Sequence, residues 1–175
     1  MSEARVIIIT GLSGAGRSQT AKVLEDVGYF VVDNLPPSLV VDVVDRIGVA
    51  EGTRSRVGLV VDTRGGVTAD DLDAALRALR RRAVRTTVLF LDADDATLAR
   101  RFAETKRSHP VLDGTVAEKI AAERTAFEDI RGRADVIIDT SELTVHDLRR
   151  RVEESFAGEG PQRRMHIDVV SFGFK

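Results

Sequence analysis

The chain has 175 residues, 43% of them hydrophobic and 31% charged, and a formal net charge of −2. That length suits one core-forming domain, and near-neutral charge gives no basis for gripping nucleic acid by charge alone. The absence of cysteine excludes disulfides and thiol chemistry. With no apolar run of membrane-spanning length and no signal-peptide pattern, the expected location is the cytoplasm, with no membrane partner.

The first apolar run, Val6-Ile7-Ile8-Ile9, reads as a strand. Gly11-Leu12-Ser13-Gly14-Ala15-Gly16-Arg17-Ser18 follows it, and a helical pattern opens behind, with Ala21, Leu24 and Val27 on one face and Gly28 as its stop. Strand, glycine-rich loop and helix is the setting of a phosphate-binding P-loop, G-x-x-x-x-G-K-[ST]. Glycines let several backbone N–H groups converge on phosphate, and the helix start adds partial positive charge. Ser18 would place its hydroxyl on Mg²⁺, and Arg17 would reach the terminal phosphates. Arg17 stands where the pattern has lysine. Arginine keeps the charge and can grip phosphate bidentately, but its planar head does not take the place of an ammonium. Binding with slow turnover is therefore expected.

Tyr29-Phe30-Val31-Val32 is a second strand, ending at Asp33. Pro36-Pro37 can open a helix that buries Leu39, Val40, Val43, Val44 and Ile47 and stops at Gly48. A loop follows, then Val57–Val61 as strand three, ending at Asp62. Thr68 and Asp71 read as a capping box before Leu72, Ala75, Leu76 and Leu79. Thr87–Leu91 is strand four, ending at Asp92, and helices are expected over Asp95–Lys106 and Thr115–Arg131. Val136–Ile138 is strand five, ending at Asp139, and Thr144–Phe156 is the last helix, boxed by Thr144 and Asp147, with Val145, Leu148, Val152 and Phe156 inside. Short, nearly continuous apolar strands alternating with helices predict an α/β fold with a five-stranded parallel sheet covered on both faces.

Ligands of such sheets sit at the carboxyl ends of the strands. Asp33, Asp62, Asp92 and Asp139 end strands and are expected to gather near the loop, although a strand-end aspartate also serves as a plain turn or cap. Asp62, after an apolar strand, is a Walker-B-like candidate for orienting Mg²⁺ through water, and with Arg17 it is the candidate catalytic pair. Asp62-Thr63-Arg64-Gly65 is either a second nucleotide contact or a polar turn. Asp33-Asn34 is either an acceptor-holding group or an Asx-type turn. Arg100, Arg101, Arg107, Arg124, Arg131 and Arg133 fall where small P-loop kinases carry a lid, and most should lie on solvated helix faces. Arg80-Arg81-Arg82 and Arg149-Arg150-Arg151 are explained by helix dipoles, with RNA contact the minority reading.

The chain resembles the RapZ/YvcJ family of bacterial nucleotide-binding proteins. The matching pieces are Gly11–Ser18, Leu24-Glu25-Asp26, Val32-Asp33-Asn34-Leu35-Pro36, Asp62-Thr63-Arg64, Leu89-Phe90-Leu91-Asp92-Ala93-Asp94, Arg107-Ser108-His109-Pro110, Ala134 to Ser141, and Ser171-Phe172-Gly173-Phe174-Lys175. The resemblance implies an adenylate-kinase-like P-loop NTPase domain that binds and hydrolyses ATP and GTP with Mg²⁺. ATP would bind at Gly11, Leu12, Ser13, Gly14, Ala15, Gly16, Arg17 and Ser18, and a GTP-associated motif would lie at Asp62, Thr63, Arg64 and Gly65.

In the family a C-terminal domain follows the Ser-Phe-Gly-Phe-Lys segment. In the enterobacterial adapter that domain binds a small RNA and an amino-sugar phosphate and presents the RNA to an endoribonuclease. The expected organisation is a nucleotide-binding domain over 1–157, with 158–175 as linker and start of that second domain. The leading expectation is a nucleotide-binding regulatory protein with weak ATPase and GTPase activity, compatible with a homo-oligomer. A small-molecule P-loop kinase is the alternative, and an RNA adapter with a vestigial site is the third reading.

Overall fold

The computed structural model describes residues 5–49, 56–61, 69–105 and 114–156. The predicted capping box at Thr68 and the segment 158–175, expected as linker and start of a second domain, lie outside them. So do Asp62, Thr63, Arg64, Gly65, Arg107 and His109.

Val6, Ile7, Ile8 and Ile9 are each fully buried. Successive strand residues point to opposite sides, so burial of the whole run means that both faces of the sheet are covered. This run is the centre of strand β1 (Arg5–Gly11). The remaining strands are β2 (Phe30–Leu35), β3 (Arg56–Val61), β4 (Arg85–Asp92) and β5 (Val136–Asp139). All pairs are parallel, in the order β2-β3-β1-β4-β5. Ile8 lies opposite Leu59 on one side and Val88 on the other.

The helices are α1 (Arg17–Asp26), α2 (Val40–Arg46), α3 (Ala69–Arg81), α4 (Asp95–Thr105), α5 (Val116–Gly132) and α6 (Val145–Phe156). Pro36-Pro37 opens a single 3-10 turn, Pro37–Leu39, before α2 rather than one continuous helix. α1 packs against α6; α3 packs against α2 and α5, and α4 against α5. Leu72, Ala75, Leu76 and Leu79 are buried on α3, and Leu148, Val152 and Phe156 on α6, as expected. Val145 at the start of α6 and Leu39 before α2, both expected inside, are instead 65% and 45% exposed, because each sits at a helix start that turns outward from the core.

Arg82, just past the end of α3, and Arg149, in the first half of α6 rather than at the C-terminus expected for a dipole role, are both paired with carboxylates. Arg82 forks onto Asp45 at 2.8 and 2.9 Å, and Arg149 bridges Asp26 and Glu153. Asp135 fixes the edge register: its N–H donates to the Val88 carbonyl, and its carboxylate accepts the Val88 N–H at 2.7 Å.

From β1 the chain crosses to β2 on one side of the sheet, and it later returns to β4 on the other. That reversal opens a crevice at the carboxyl end of β1, where the glycine loop stands.

Candidate functional site: a glycine loop at the mouth of a cleft

Gly11 must be glycine. Its φ is +137°, and a Cβ there would lie 2.1 Å from the Leu91 carbonyl oxygen. The turn begins where β1 presses on β4, and the Leu12 N–H donates to that same oxygen at 3.1 Å. Gly14 and Gly16 also have positive φ, 86° and 104°. Gly16 ends the loop as N-cap of α1, with no side-chain cap on the helix. The first-turn N–H groups of a helix have no intrahelical acceptors, so an uncapped start is a set of convergent donors with a favourable dipole.

Unlike α1 and α2, the helices α4, α5 and α6 supply their own side-chain caps. The Asp94 carboxylate accepts the Thr97 N–H at 2.7 Å, Thr115 and Glu118 form a capping box on α5, and Thr144 and Asp147 form one on α6. The Thr97 N–H holds Asp94 below the usual carboxylate range, and the Thr115 and Thr144 donors do the same to Glu118 and Asp147.

Residues from outside the loop set its direction. Arg101 on α4 donates to the Gly14 carbonyl at 3.1 Å, and also to the Thr140 hydroxyl and carbonyl oxygens at 2.9 and 2.7 Å. The buried Thr140 hydroxyl lies 3.0 Å from both the Ala15 and the Asp92 carbonyl oxygens, and its proton serves the two. With the carbonyls of Gly14 and Ala15 engaged in this way the loop is fixed in place, and three of its N–H groups are engaged as well: Leu12 on the Leu91 carbonyl, Ser13 on Glu123 and Ala15 on the Leu12 carbonyl. Burial pushes the Arg101 guanidinium below the ordinary arginine value, and the like charge of Arg100 acts the same way.

The cleft measures about 1140 Å³. Ser13, Gly14, Ala15, Gly16, Arg17 and Ser18 line it; Gly11 and Leu12 are buried at the end of β1. Asp33 and Asn34 line it as well. They form an irregularity in β2 between Val32 and Leu35; Asn34 has φ +60°, and its N–H donates to the Asp33 carboxylate at 2.7 Å. The far wall includes Leu143, Thr144, Val145 and Leu148.

Among the described residues, Asp92 and Asp139 do not gather at the loop as expected. Asp92 is turned into the protein, where Arg124 and Arg131 reach its carboxylate at 3.0 and 2.8 Å. Asp139 accepts the N–H and hydroxyl of Ser141. Asp33 alone of the four is placed at the cleft among the described residues.

The arginines between β4 and β5 also divide. Arg100 and Arg101 line the cleft. Arg124 binds Asp92, Asp95 and the Ala93 carbonyl. Burial opposes its charge, but those carboxylates outweigh burial and raise its pKa. Arg131 holds Asp92, and Arg133 pairs with Asp73 and Asp70.

Two residues essential to the loop carry no local signal. Thr140 follows a strand-end aspartate, and Glu123 is one of several acidic residues on α5. The Glu123 carboxylate takes both donors of Ser13.

A family profile described as the RapZ-like N-terminal domain matches residues 4–160. The chain belongs to that family. A nucleotide-binding protein of Salinispora arenicola is 46% identical over 175 residues, covering 99% of this chain and 59% of the relative. One of Moorella thermoacetica is 47% identical over 176 residues, covering 98% and 58%. The chain thus spans less than three-fifths of the length of these relatives.

Among solved structures, shikimate kinase of Acinetobacter baumannii superposes with a TM-score of 0.58 at 15% identity, covering 88% of this chain and 93% of that one. The tunicamycin resistance protein of Deinococcus radiodurans gives 0.60 at 16%, covering 87% and 95%. These likenesses show the fold alone, an adenylate-kinase-like P-loop α/β fold.

Proposed function

We propose that the domain binds ATP and GTP as Mg²⁺ complexes at the Gly11–Ser18 loop and hydrolyses them slowly, as a cytoplasmic regulatory module. The observation that carries this is the uncapped start of α1 at the cleft, behind a loop whose Gly14 and Ala15 carbonyls are already engaged by Arg101 and Thr140. Such a cradle suits a di- or triphosphate. Arg17, half-buried in the cleft wall, supplies a cation for the terminal phosphates. The exposed Ser18 hydroxyl supplies one oxygen for Mg²⁺, which ordinarily completes its shell with water and phosphate oxygens. Asp62 is assigned the role of orienting that ion, and Thr63, Arg64 and Gly65 a further nucleotide contact. RNA and endoribonuclease partners belong, in this reading, to the part of the longer relatives beyond this chain's span.

The test is steady-state phosphate release with R17K, S18A and D62A. Arg17→Lys should raise turnover while leaving affinity within a few fold. Ser18→Ala and Asp62→Ala should lose Mg²⁺-dependent turnover. A fast wild-type rate that R17K leaves unchanged, or full activity in S18A with D62A, would contradict the assignment.

Asp33 and Asn34 in the same cleft support a second reading, transfer of the phosphoryl group to a small hydroxyl compound rather than to water. A metabolite-pool screen yielding only ADP and inorganic phosphate would count against it.

A further inference from the structure

Ser13 is the third residue of the glycine loop and only 5% exposed. Both of its donors end on one carboxylate. Its N–H donates to Glu123 Oε2 at 3.1 Å, and its hydroxyl donates to Oε1 at 2.6 Å. Glu123 sits on α5, 110 positions along the chain. Hydrogen bonds to an ionised acceptor are shorter and stronger than neutral ones, and two of them fix orientation as well as distance.

Two consequences follow. The Ser13 N–H is committed to protein, so phosphate must be received by donors further along the loop. A full negative charge also stands beside a loop that the proposed function fills with anions. By linkage such a charge lowers anion affinity, so the carboxylate has to contribute something that offsets this.

What it contributes is a fixed anchor. The next residue, Arg124, is bound to Asp92, Asp95 and the Ala93 carbonyl. The α5 backbone at Glu123 is therefore tied to the end of β4 and the start of α4. Ser13, Gly14 and Ala15 are then held in succession by Glu123, Arg101 and Thr140. Arg101 and Thr140 act on carbonyls; Glu123 alone acts through an N–H and a side chain.

Resting on the nucleotide-binding reading, we propose that Glu123 is a positioning residue for the nucleotide loop. Its carboxylate holds Ser13 so that the loop keeps its anion-receiving form, against the repulsion it exerts on the bound phosphates.

The two effects separate by substitution. Glu123→Gln keeps an acceptor for Ser13 and removes the charge. Glu123→Ala removes both. Calorimetric titration of the full chain with Mg-ATP and Mg-ADP should show E123A weakened about tenfold. E123Q should bind severalfold more tightly than the wild type, the opposite sign. S13A should weaken binding, and E123A with S13A should be no weaker than E123A alone, as a coupled pair requires. A merely structural role would weaken E123Q and E123A together. Binding by E123A within twofold of the wild type, or by E123Q as weak as E123A, overturns the proposal. Should E123A fail to fold, E123Q against S13A carries the same contrast. A folded wild type that binds neither nucleotide overturns the functional reading and this inference together; binding in the wild type without the contrast overturns this inference alone.

Discussion

The hydroxyl of Thr140, just past β5, lies 3.0 Å from the carbonyl oxygen of Ala15 in the glycine loop, 125 positions earlier. The Thr140 hydroxyl oxygen accepts a hydrogen bond from Arg101, whose guanidinium also reaches the Gly14 carbonyl. One buried hydroxyl thus ties the loop to the far side of the sheet. Thr140→Val keeps the shape and removes that link. It should destabilise the domain by about 1–3 kcal/mol, the cost of leaving buried partners unmet. It should also weaken nucleotide binding, which Val substitution at the exposed Thr125 should not do. Denaturant unfolding paired with titration of Mg-ATP separates the two effects.

Gly11→Ala should be among the most damaging single changes available. The new methyl would meet the backbone of Leu91 at 2.1 and 2.6 Å, and the φ of +137° adds strain. Backbone cannot swing aside as a side chain can, so a loss of about 4 kcal/mol or more is expected. Gly14→Ala meets only side-chain carbons, at 3.5 Å and beyond, and its cost should come from its positive φ. Comparing the two unfolding midpoints checks this.

Asp92 and Arg133 make ion pairs of different worth. The Asp92 side chain is 10% exposed and accepts from two half-exposed arginines and the Ala93 N–H, so Asp92→Ala should cost about 1–3 kcal/mol by leaving those donors unmet. Arg133 is 44% exposed, and Arg133→Ala should change stability by no more than about 1 kcal/mol. Equal losses in urea unfolding would contradict the division drawn between these arginines.

Asp94, Glu118 and Asp147 have pKa values lowered by the donors they cap. A carboxylate with a lowered folded pKa contributes stability above its unfolded value and loses it as pH falls through the folded one. Stability should therefore be flat through neutral pH and decline from about pH 4 downward, where unperturbed carboxylates titrate. E118Q with D147N should flatten that decline. Thermal unfolding from pH 7 to pH 3 measures it, and an unchanged acid limb in the double variant would refute the assignment.

What could be read from sequence is local. Val6–Ile9 and Leu89–Leu91 are apolar on both faces, which requires a covered parallel sheet. Gly14, Gly16 and Ser18 mark the loop, and the three-residue spacing of Thr144 and Asp147 marks the start of α6. The rest depends on what the fold brings from afar. Asp92 looks in sequence like any strand-end acid, but Arg131 and Arg124 claim it from α5. Those arginines sit at spacings that suit a solvated face, so nothing nearby identifies their partner. Asn34 reads as a turn residue, yet its positive φ puts a kink in β2 at the edge of the cleft. The Glu123 and Thr140 contacts to the loop span more than a hundred residues, beyond the reach of any periodicity.

The most direct test of nucleotide binding at the Arg17-bearing loop is thermal unfolding of the chain alone, with Mg-ATP and with Mg-GTP. A ligand at about 100 times its dissociation constant adds roughly 2.7 kcal/mol, or about 5–10 °C in midpoint for a domain of this size. A shift of that order with either nucleotide, reduced in Ser18→Ala, is the expected result. No shift at millimolar nucleotide, in a protein that unfolds cooperatively, would contradict it.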